Sequence, residues 1–216
     1  MKLLIVFDLD GPLLDGKDRH YACYSGILQE AGYNPVPLDE YWQAKRALVP
    51  ASDVLRRSGA SDYYSEFKRI WLAQIEAEEM LALDHLQNGA AKLLRKIAFA
   101  GNRIVIVTLR QHSDHALNQT KRLGILNFID ELLIAPHTEA AAGKAECVLA
   151  HARRESLKPL IWVGDTEMDA EAAATLGVPC ALVANGVRSR ESLHGLPSVG
   201  VFSSASEIPF TYFLRP

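Results

Sequence analysis

Two aspartates, Asp8 and Asp10, follow a short apolar run near the start of the chain, in the stretch LLIVFDLDGPLLDG (residues 3–16). Side chains two residues apart in a β-strand point the same way, so both carboxylates can lie at one side of the strand's end. Like charges this close do not all stay ionised unless positive charge lies beside them. The sequence therefore predicts a positively charged partner at this place.

Other polar residues follow further apolar runs. Thr108 ends the run RIVIVT and is followed by Arg110, and the run LIWVG leads into Asp165 and Asp169. Lys144 stands near the start of the helical pattern that precedes LIWVG. Because ligands bind at the carboxyl ends of the strands in an open parallel sheet, we expect these groups to share one edge of the sheet.

The four aspartates (Asp8, Asp10, Asp165 and Asp169) outweigh the single charge of Lys144. Clustered carboxylate oxygens without histidine or cysteine suit a hard cation, and Mg²⁺ typically takes one or two carboxylates together with a substrate phosphate. The residues themselves thus predict a Mg²⁺ site that a phosphate group can approach.

The runs that carry these residues are almost continuously apolar, which is typical of strands buried on both faces of a parallel sheet. They are LLIVF (3–7), RIVIVT (103–108), ELLIA (131–135), LIWVG (160–164) and CALVA (180–184). Helical patterns lie between most of them. The prediction is an α/β protein with a doubly wound, mostly parallel sheet.

Residues 16–85 break this alternation, because they hold several helical patterns and no buried-strand run. Six of the seven tyrosines fall in this interval, which indicates a small hydrophobic core of its own. We predict an α/β core made of residues 1–15 and 86–216, with residues 16–85 inserted as a helical cap.

The composition narrows the class of protein. A net charge of −3 over 216 residues, without a basic stripe, argues against a nucleic-acid partner. No segment is long and apolar enough for a membrane partner, and three widely spaced cysteines predict reduced thiols and a cytoplasmic location. The oligomeric state stays open.

Taken together, the motifs resemble those of the haloacid dehalogenase superfamily, in its phosphatase branch with a helical cap (the phosphoglycolate phosphatase and β-phosphoglucomutase types). DLDGPLLD resembles the DxDGT-L motif, and VTLR resembles the second motif with its Thr or Ser. Lys144 resembles the family's lysine, and VGDTEMD resembles GDxxxD. The order of the four motifs also agrees.

The resemblance implies catalytic roles for four residues. Asp8 would be the nucleophile that forms an aspartyl-phosphate, and Asp10 would be the general acid and base. Thr108 would bind phosphoryl oxygens, and Lys144 would offset the charge of Asp8 and the phosphoryl group.

The resemblance also implies the ligands of the metal. Asp8, the backbone carbonyl of Asp10, and Asp165 would hold Mg²⁺, with Asp169 supporting them.

The expected substrate is a small phosphorylated metabolite. Next to the motifs, Leu9, Leu109 and Arg110 are candidate substrate contacts. In the insertion, the candidates are basic residues that could reach over the site: Lys17, Arg19, His20, Lys45 and Arg46.

The resemblance has two departures. TLR stands where Thr/Ser-Asn is frequent in the family, which leaves Arg110 as an extra phosphate or substrate contact, and Pro12 stands where the family usually has threonine. Proline lacks the hydroxyl that could orient Asp10, and this favours the alternative of a binding-only relative without catalysis.

Phosphomutase or phosphonatase chemistry on the same core also stays open, the latter through a Schiff-base lysine at Lys17 or Lys45. A dehalogenase is disfavoured, since that branch lacks the acid at position 10. A receiver module is disfavoured by the long insertion.

Overall fold

The computed structural model describes residues 2–214 of the chain. Its strands are β1 (Lys2–Phe7), β2 (Leu14–Asp15), β3 (His85–Leu86), β4 (Arg103–Thr108), β5 (Glu131–Ile134), β6 (Leu157–Gly164), β7 (Cys180–Val183) and β8 (Gly200–Phe202). Six of them form one sheet in the order β5-β4-β1-β6-β7-β8, and every neighbouring pair is parallel. The predicted α/β class with a parallel sheet is confirmed, and β8 is the one sheet strand that the apolar runs did not predict.

The helices are α1 (Lys17–Glu30), α2 (Leu38–Arg46), α3 (Ala51–Arg57), α4 (Tyr64–Gln74), α5 (Glu78–Leu81), α6 (Ala90–Phe99), α7 (Ser113–Arg122), α8 (Ala140–Arg154), α9 (Glu167–Thr175) and α10 (Arg190–Leu193). Both faces of the sheet are covered. Ile5 and Phe7 of β1 face a cluster that includes α6, while Leu4 and Val6 face one that includes α8 and α9. The middle positions of the strands are therefore apolar on both faces, because each side of the sheet packs against helices.

The chain leaves the α/β core at β2 and returns to it at β3. These two segments lie side by side, because β2 and β3 pair as a short antiparallel ribbon. Helices α1 to α5 lie between them and pack around a third buried cluster that includes Tyr24, Tyr41 and Phe67. The rings of Tyr24 and Tyr41 stack with their centroids 4.4 Å apart. The aromatic residues of the insertion thus form its own core, while the predicted domain boundaries at residues 16 and 85 stay predictions.

Within residues 2–214, no helix has both the length and the apolar character needed to cross a membrane.

Candidate active site

Asp8 follows β1 directly and lies beside Lys144, which α8 delivers in its second turn. The Lys144 Nζ is 2.9 Å from Asp8 Oδ2 and 2.8 Å from Asp169 Oδ1, and all three residues are buried. Burial alone would lower the pKa of Lys144, but the carboxylates of Asp169 and Asp8 outweigh burial and raise it above its ordinary value. The ammonium group is therefore a fixed positive charge next to Asp8.

One lysine does not supply enough positive charge for the buried acids. Burial raises the pKa of Asp8 to about 7, against the opposing effect of Lys144. Burial, together with the charges of Asp8 and Asp169, raises the pKa of Asp165 well above its usual range. Both carboxyl groups would ionise more readily if a further cation lay between them.

The donor atoms of this group fit such a cation. Oxygens of Asp8, Asp165 and Asp169 lie within 4.8 Å of one another. One oxygen of Asp165, Oδ1, is buried and has no hydrogen-bond partner among the described residues, while Oδ2 accepts the N–H of Val187 at 2.6 Å. A buried carboxylate oxygen left free in an acidic cluster is the donor that a hard divalent ion takes.

Asp169 has a different role, because both of its oxygens already accept hydrogen bonds. Oδ1 accepts from Lys144 at 2.8 Å and from the indole N–H of Trp162 at 3.3 Å. Oδ2 accepts from the backbone N–H groups of Asp165 and Thr166 and from the Thr166 hydroxyl. Asp169 thus fixes Lys144 and the turn that carries Asp165.

The backbone approaches these carboxylates so closely that side chains are excluded. A Cβ at Gly186 would lie 2.0 Å from Asp165 Oδ2, and one at Gly11 would lie 2.2 Å from Asp165 Cγ. Both distances are far below van der Waals contact. Glycine is therefore required at two loops that converge on Asp165.

Asp10 is held by two arginines and does not join the three-carboxylate group. Arg110 donates Nε to Asp10 Oδ2 at 2.7 Å and Nη2 to Oδ1 at 2.7 Å, and Arg19 of α1 donates to Oδ1 at 2.6 Å. Burial would raise the pKa of Asp10, but Arg110 and Arg19 outweigh it and hold the pKa below its usual range. Asp10 is therefore ionised in this arrangement.

A fourth residue, Asp84, completes what we call the arginine–aspartate cluster (Asp10, Arg19, Asp84 and Arg110). Asp84 is fully buried just before β3 and lies 2.8 Å from Arg19 Nε and 3.2 Å from Arg110 Nη2. Gln119 of α7 donates to Asp84 at 2.8 Å. The cluster joins the helical insertion, through Arg19 and Asp84, to Asp10 and Arg110 at the ends of β1 and β4.

The formal charges of the site now nearly balance. Five carboxylates, those of the four predicted aspartates and of Asp84, face three cations, Lys144, Arg19 and Arg110. Two negative charges remain among these eight groups, and a divalent cation would neutralise them. The sequence alone predicted a larger excess of negative charge, because it did not place either arginine beside the acids.

A cavity of about 360 Å³ connects these residues, and we call it the active-site cavity. Most of the residues predicted from sequence line it: Asp8, Asp10, Arg19, His20, Thr108, Leu109, Arg110, Lys144 and Asp165. Leu9 lies beneath it, fully buried, and donates its N–H to Asp8 Oδ1 at 2.7 Å. Arg110 and Arg19 line the cavity, but their guanidinium groups are already paired with carboxylates.

Two predicted substrate contacts lie elsewhere. Lys17 pairs with the exposed Asp39 at 3.0 Å, and Arg46 donates to the backbone carbonyls of Ala184 and Arg188. Neither is among the described residues that line the cavity. Helices α1 and α2 direct these side chains towards the helix surface and towards a core loop, and their assignment as substrate contacts stays a prediction.

Lys45, one residue before Arg46, does line the cavity. His20 lies near it, with its ring centroid 5.6 Å from that of Trp71 and 6.1 Å from that of Trp42. Burial, followed by the charge of Lys45, lowers the pKa of His20 well below its ordinary value. The imidazole is therefore neutral.

Sequence reasoning missed two buried acids of the insertion, Asp84 and Glu76. The carboxylate of Glu76 accepts the backbone N–H groups of Gln111 at 2.9 Å and His112 at 3.1 Å, and so holds the loop after β4. No motif or spacing marks either acid, because their partners are distant in sequence. Only the packing of the insertion against the sheet brings them together.

Comparisons with known proteins agree with this geometry. Residues 5–183 match the model of the family described as haloacid dehalogenase-like hydrolase. A phosphoglycolate phosphatase of Cereibacter sphaeroides (strain ATCC 17025 / ATH 2.4.3) is 28% identical over 211 residues, covering 95% of each chain.

Two solved structures share the fold at lower identity. A haloacid dehalogenase-like family hydrolase from Streptococcus pneumoniae superposes with a TM-score of 0.73 at 20% identity, covering 99% of each chain. The second is a haloacid dehalogenase family hydrolase from Deinococcus radiodurans, solved with bound phosphate and sodium. It superposes with a TM-score of 0.73 at 15% identity, covering 100% of this chain and 98% of that one.

The chain belongs to the haloacid dehalogenase-like hydrolases, as its four motifs predicted. It is an enzyme of the phosphatase branch of that family, which confirms the predicted enzyme class.

Proposed function

We propose that this enzyme is a Mg²⁺-dependent phosphatase that hydrolyses a phosphate monoester through an aspartyl-phosphate on Asp8. The observation that carries the proposal is the contact between Asp8 Oδ2 and Lys144 at one end of the active-site cavity, beside the free oxygen of Asp165. Several relatives are named phosphoglycolate phosphatases, so phosphoglycolate is the first substrate to test. A cytoplasmic location stays a prediction.

In the first step, a carboxylate oxygen of Asp8 attacks phosphorus, and the bond from phosphorus to the alcohol oxygen breaks. The departing oxygen takes up one proton. Lys144 stabilises the transferred group by its fixed charge, and Thr108 offers its hydroxyl at the end of β4. When bound by Asp8, Asp165 and the Asp10 carbonyl, Mg²⁺ would offset the negative charge of carboxylates and phosphate.

In the second step, water attacks the phosphorus of the aspartyl-phosphate, which releases phosphate and regenerates Asp8. Asp10 accepts the proton of this water. Asp10 is ionised between Arg19 and Arg110 and can accept a proton, but the two arginines lower its pKa and so weaken it as a base while they stay in contact. To act as an acid in the first step, Asp10 has to take up a proton, which requires weaker contacts with the arginines.

The helical insertion is placed to act as a cap. Arg19 and Asp84 join it to the sheet through the arginine–aspartate cluster, and Arg46 joins it to the loop after β7. A cap that opens at the β2–β3 ribbon would separate Arg19 from Asp10, and one that closes would exclude water from Asp8.

The position of Lys45 is the one observation that supports the phosphonatase alternative. Lys45 lines the active-site cavity, whereas Lys17 pairs with Asp39 at the surface. An amine at this place could form a Schiff base with a carbonyl substrate. Borohydride trapping with phosphonoacetaldehyde, compared between the native chain and Lys45→Met, would reveal that activity as a covalent adduct lost in the variant.

The experiment that tests the proposal is phosphate release from p-nitrophenyl phosphate and phosphoglycolate, with Mg²⁺ and with a chelator. We expect turnover with Mg²⁺ and less than about 1% of it with chelator, because the uncompensated carboxylates would repel the phosphate. Equal turnover in both conditions would refute the metal requirement. Binding of Mg²⁺ without turnover of any ester would favour the mutase or binding-only alternatives.

The pH dependence of kcat/KM should follow the loss of the positive charge of Lys45. Burial and the charges of Arg188 and Arg19 together lower its pKa to about 8, against the opposing charges of Asp10 and Asp165. As pH rises through 8, Lys45 loses its charge and attracts the phosphate dianion less. We expect kcat/KM to fall by roughly 3- to 10-fold between pH 7 and 9.5.

The matched variants for this profile are Lys45→Met and Lys17→Met. Lys45→Met should start lower and stay flat over this range, and Lys17→Met, at an exposed ion pair, should keep the native profile. An unchanged fall in Lys45→Met would assign the titration to another group.

Substitution of Gly186 should weaken metal binding without changing any charge. In Gly186→Ala, the new methyl group would overlap Asp165 Oδ2 and displace that carboxylate. We expect the Mg²⁺ concentration for half-maximal activity to rise roughly 10- to 100-fold. The control is Gly26→Ala in α1, where a Cβ meets nothing within 4 Å, and a native Mg²⁺ response in Gly186→Ala would contradict the assignment of Asp165.

A further inference from the structure

A second cavity, of about 390 Å³, lies inside the helical insertion, and we call it the helix cavity. Its walls come from α1 to α4 and include Tyr24, Tyr41, Leu55 and Phe67, which belong to the insertion's hydrophobic core. A volume of this size is within the usual range of small-molecule sites. The aspartyl-phosphate chemistry at Asp8 makes no use of it.

The helix cavity adjoins the active-site cavity. Five residues line both spaces: His20, Lys45, Trp71, Leu72 and Arg188. These residues separate the two spaces, and a molecule held by its phosphate at Asp8 would reach the insertion by passing between them. Only a substrate that is longer than the active-site cavity would do so.

The lining of the helix cavity is apolar and aromatic. Among the described residues that line it there is no carboxylate, and the charged members are Lys45, Lys68 and Arg188. Arg188 is paired with Glu167 at 2.8 Å, and Lys68 is exposed to solvent. Such walls bind rings and hydrocarbon chains, whereas a carboxylate-bearing two-carbon group would leave most of the volume unfilled.

Three large apolar side chains that line the helix cavity are exposed to solvent. Leu48, Tyr64 and Leu72 line it and are 50%, 39% and 46% exposed. Leu48 also has a φ of 60°, a left-handed conformation that costs a leucine free energy and that glycine or asparagine would adopt more easily. This conformation ends α2, because the N–H of Leu48 donates to the Lys45 carbonyl and the N–H of Val49 donates to the Ala44 carbonyl. The exposed apolar side chains themselves are what an apolar ligand can contact.

We propose that the helix cavity receives the alcohol part of the substrate, and that the preferred substrate is the phosphate monoester of an apolar alcohol at least as large as a six-carbon chain or a phenyl ring. The proposal rests on the proposed phosphatase function and names its substrate class. It differs from the expectation of phosphoglycolate, whose alcohol part is small and charged.

The test is a series of phosphate monoesters of primary alcohols, which share similar leaving groups: ethyl, butyl, hexyl and 2-phenylethyl phosphate, with phosphoglycolate as the comparison. We expect kcat/KM to rise about threefold for each methylene group that enters the cavity. Hexyl phosphate, with four more methylene groups than ethyl phosphate, should therefore exceed it by roughly 80-fold, and 2-phenylethyl phosphate by a similar factor.

A matched pair of variants locates the effect. Ala51 is exposed and lines the rim of the helix cavity, while its neighbour Ser52 is exposed and does not line it. We expect Ala51→Trp to reduce the hexyl-to-ethyl ratio of kcat/KM at least tenfold, and Ser52→Trp to leave this ratio at its native value. If Ala51→Trp does not fold, the series on the native enzyme decides.

The outcomes separate the two proposals. A kcat/KM that does not change with chain length, or that is highest for phosphoglycolate, would overturn the substrate class and leave the phosphatase function in place. No turnover of any ester, p-nitrophenyl phosphate included, would overturn the proposed function and the inference with it.

Discussion

Asparagine in place of Asp8 is expected to abolish phosphate release, with a loss on the order of 10⁴-fold or more in kcat. The substitution preserves the size of the side chain and the acceptor for the Leu9 N–H, but it removes the charge that attacks phosphorus. It also removes a partner of Lys144, which keeps its contact with Asp169 at 2.8 Å. The fold should therefore persist while the chemistry stops.

The measurement is phosphate release with Mg²⁺, together with acid-quenched trapping of the phosphorylated enzyme. Native protein should carry radioactive phosphate from a labelled substrate, and Asp8→Asn should carry none. Asp15→Asn is the matched control, because Asp15 is an exposed carboxylate at the end of β2 on the same loop. Turnover by Asp8→Asn within tenfold of the native rate would refute a nucleophile at position 8.

Alanine in place of Asp84 is expected to cause the largest loss of stability, about 3–5 kcal/mol in the free energy of unfolding. Asp84 is fully buried between Arg19 and Arg110, and Gln119 donates to it as well. Without it, two buried guanidinium groups share the single carboxylate of Asp10. Removing one partner of a buried ion pair leaves the other charge desolvated and uncompensated.

Urea-induced unfolding, followed by circular dichroism, measures this loss. Asp53→Ala is the matched control, because Asp53 pairs with Arg56 at 3.0 Å on the exposed face of α3. That pair should contribute less than about 1 kcal/mol. Equal losses in the two variants would show that the arginine–aspartate cluster contributes no more than a surface ion pair.

The arginine–aspartate cluster also bears on Pro12. The sequence predicted that proline at this position would leave Asp10 without a hydroxyl to orient it. In the structure Asp10 accepts three hydrogen bonds from Arg19 and Arg110, so its orientation does not depend on residue 12. The departure from the family motif is thus accompanied by a different set of donors.

The sequence by itself determined five of the six strands of the sheet and the position of the acids at its edge. Each apolar run became a strand of the parallel sheet, and Asp8, Thr108 and Asp165 lie where three of these strands end. The physical reason is that strand geometry is nearly fixed: side chains alternate, parallel strands align, and their carboxyl ends share one edge. A residue placed at a strand end therefore has a position that sequence can predict.

Only the tertiary structure decided which residues of the insertion reach the acids. Lys17, Arg19, Lys45 and Arg46 looked equivalent in sequence, but Arg19 and Lys45 line the active-site cavity while Lys17 and Arg46 do not. A helical side chain points in a direction set by how the whole helix packs, and that packing depends on contacts distant along the chain. The contacts of Asp84 could not be predicted from sequence for the same reason. Its partners Arg19 and Arg110 lie 65 and 26 residues away along the chain, and no local pattern relates them.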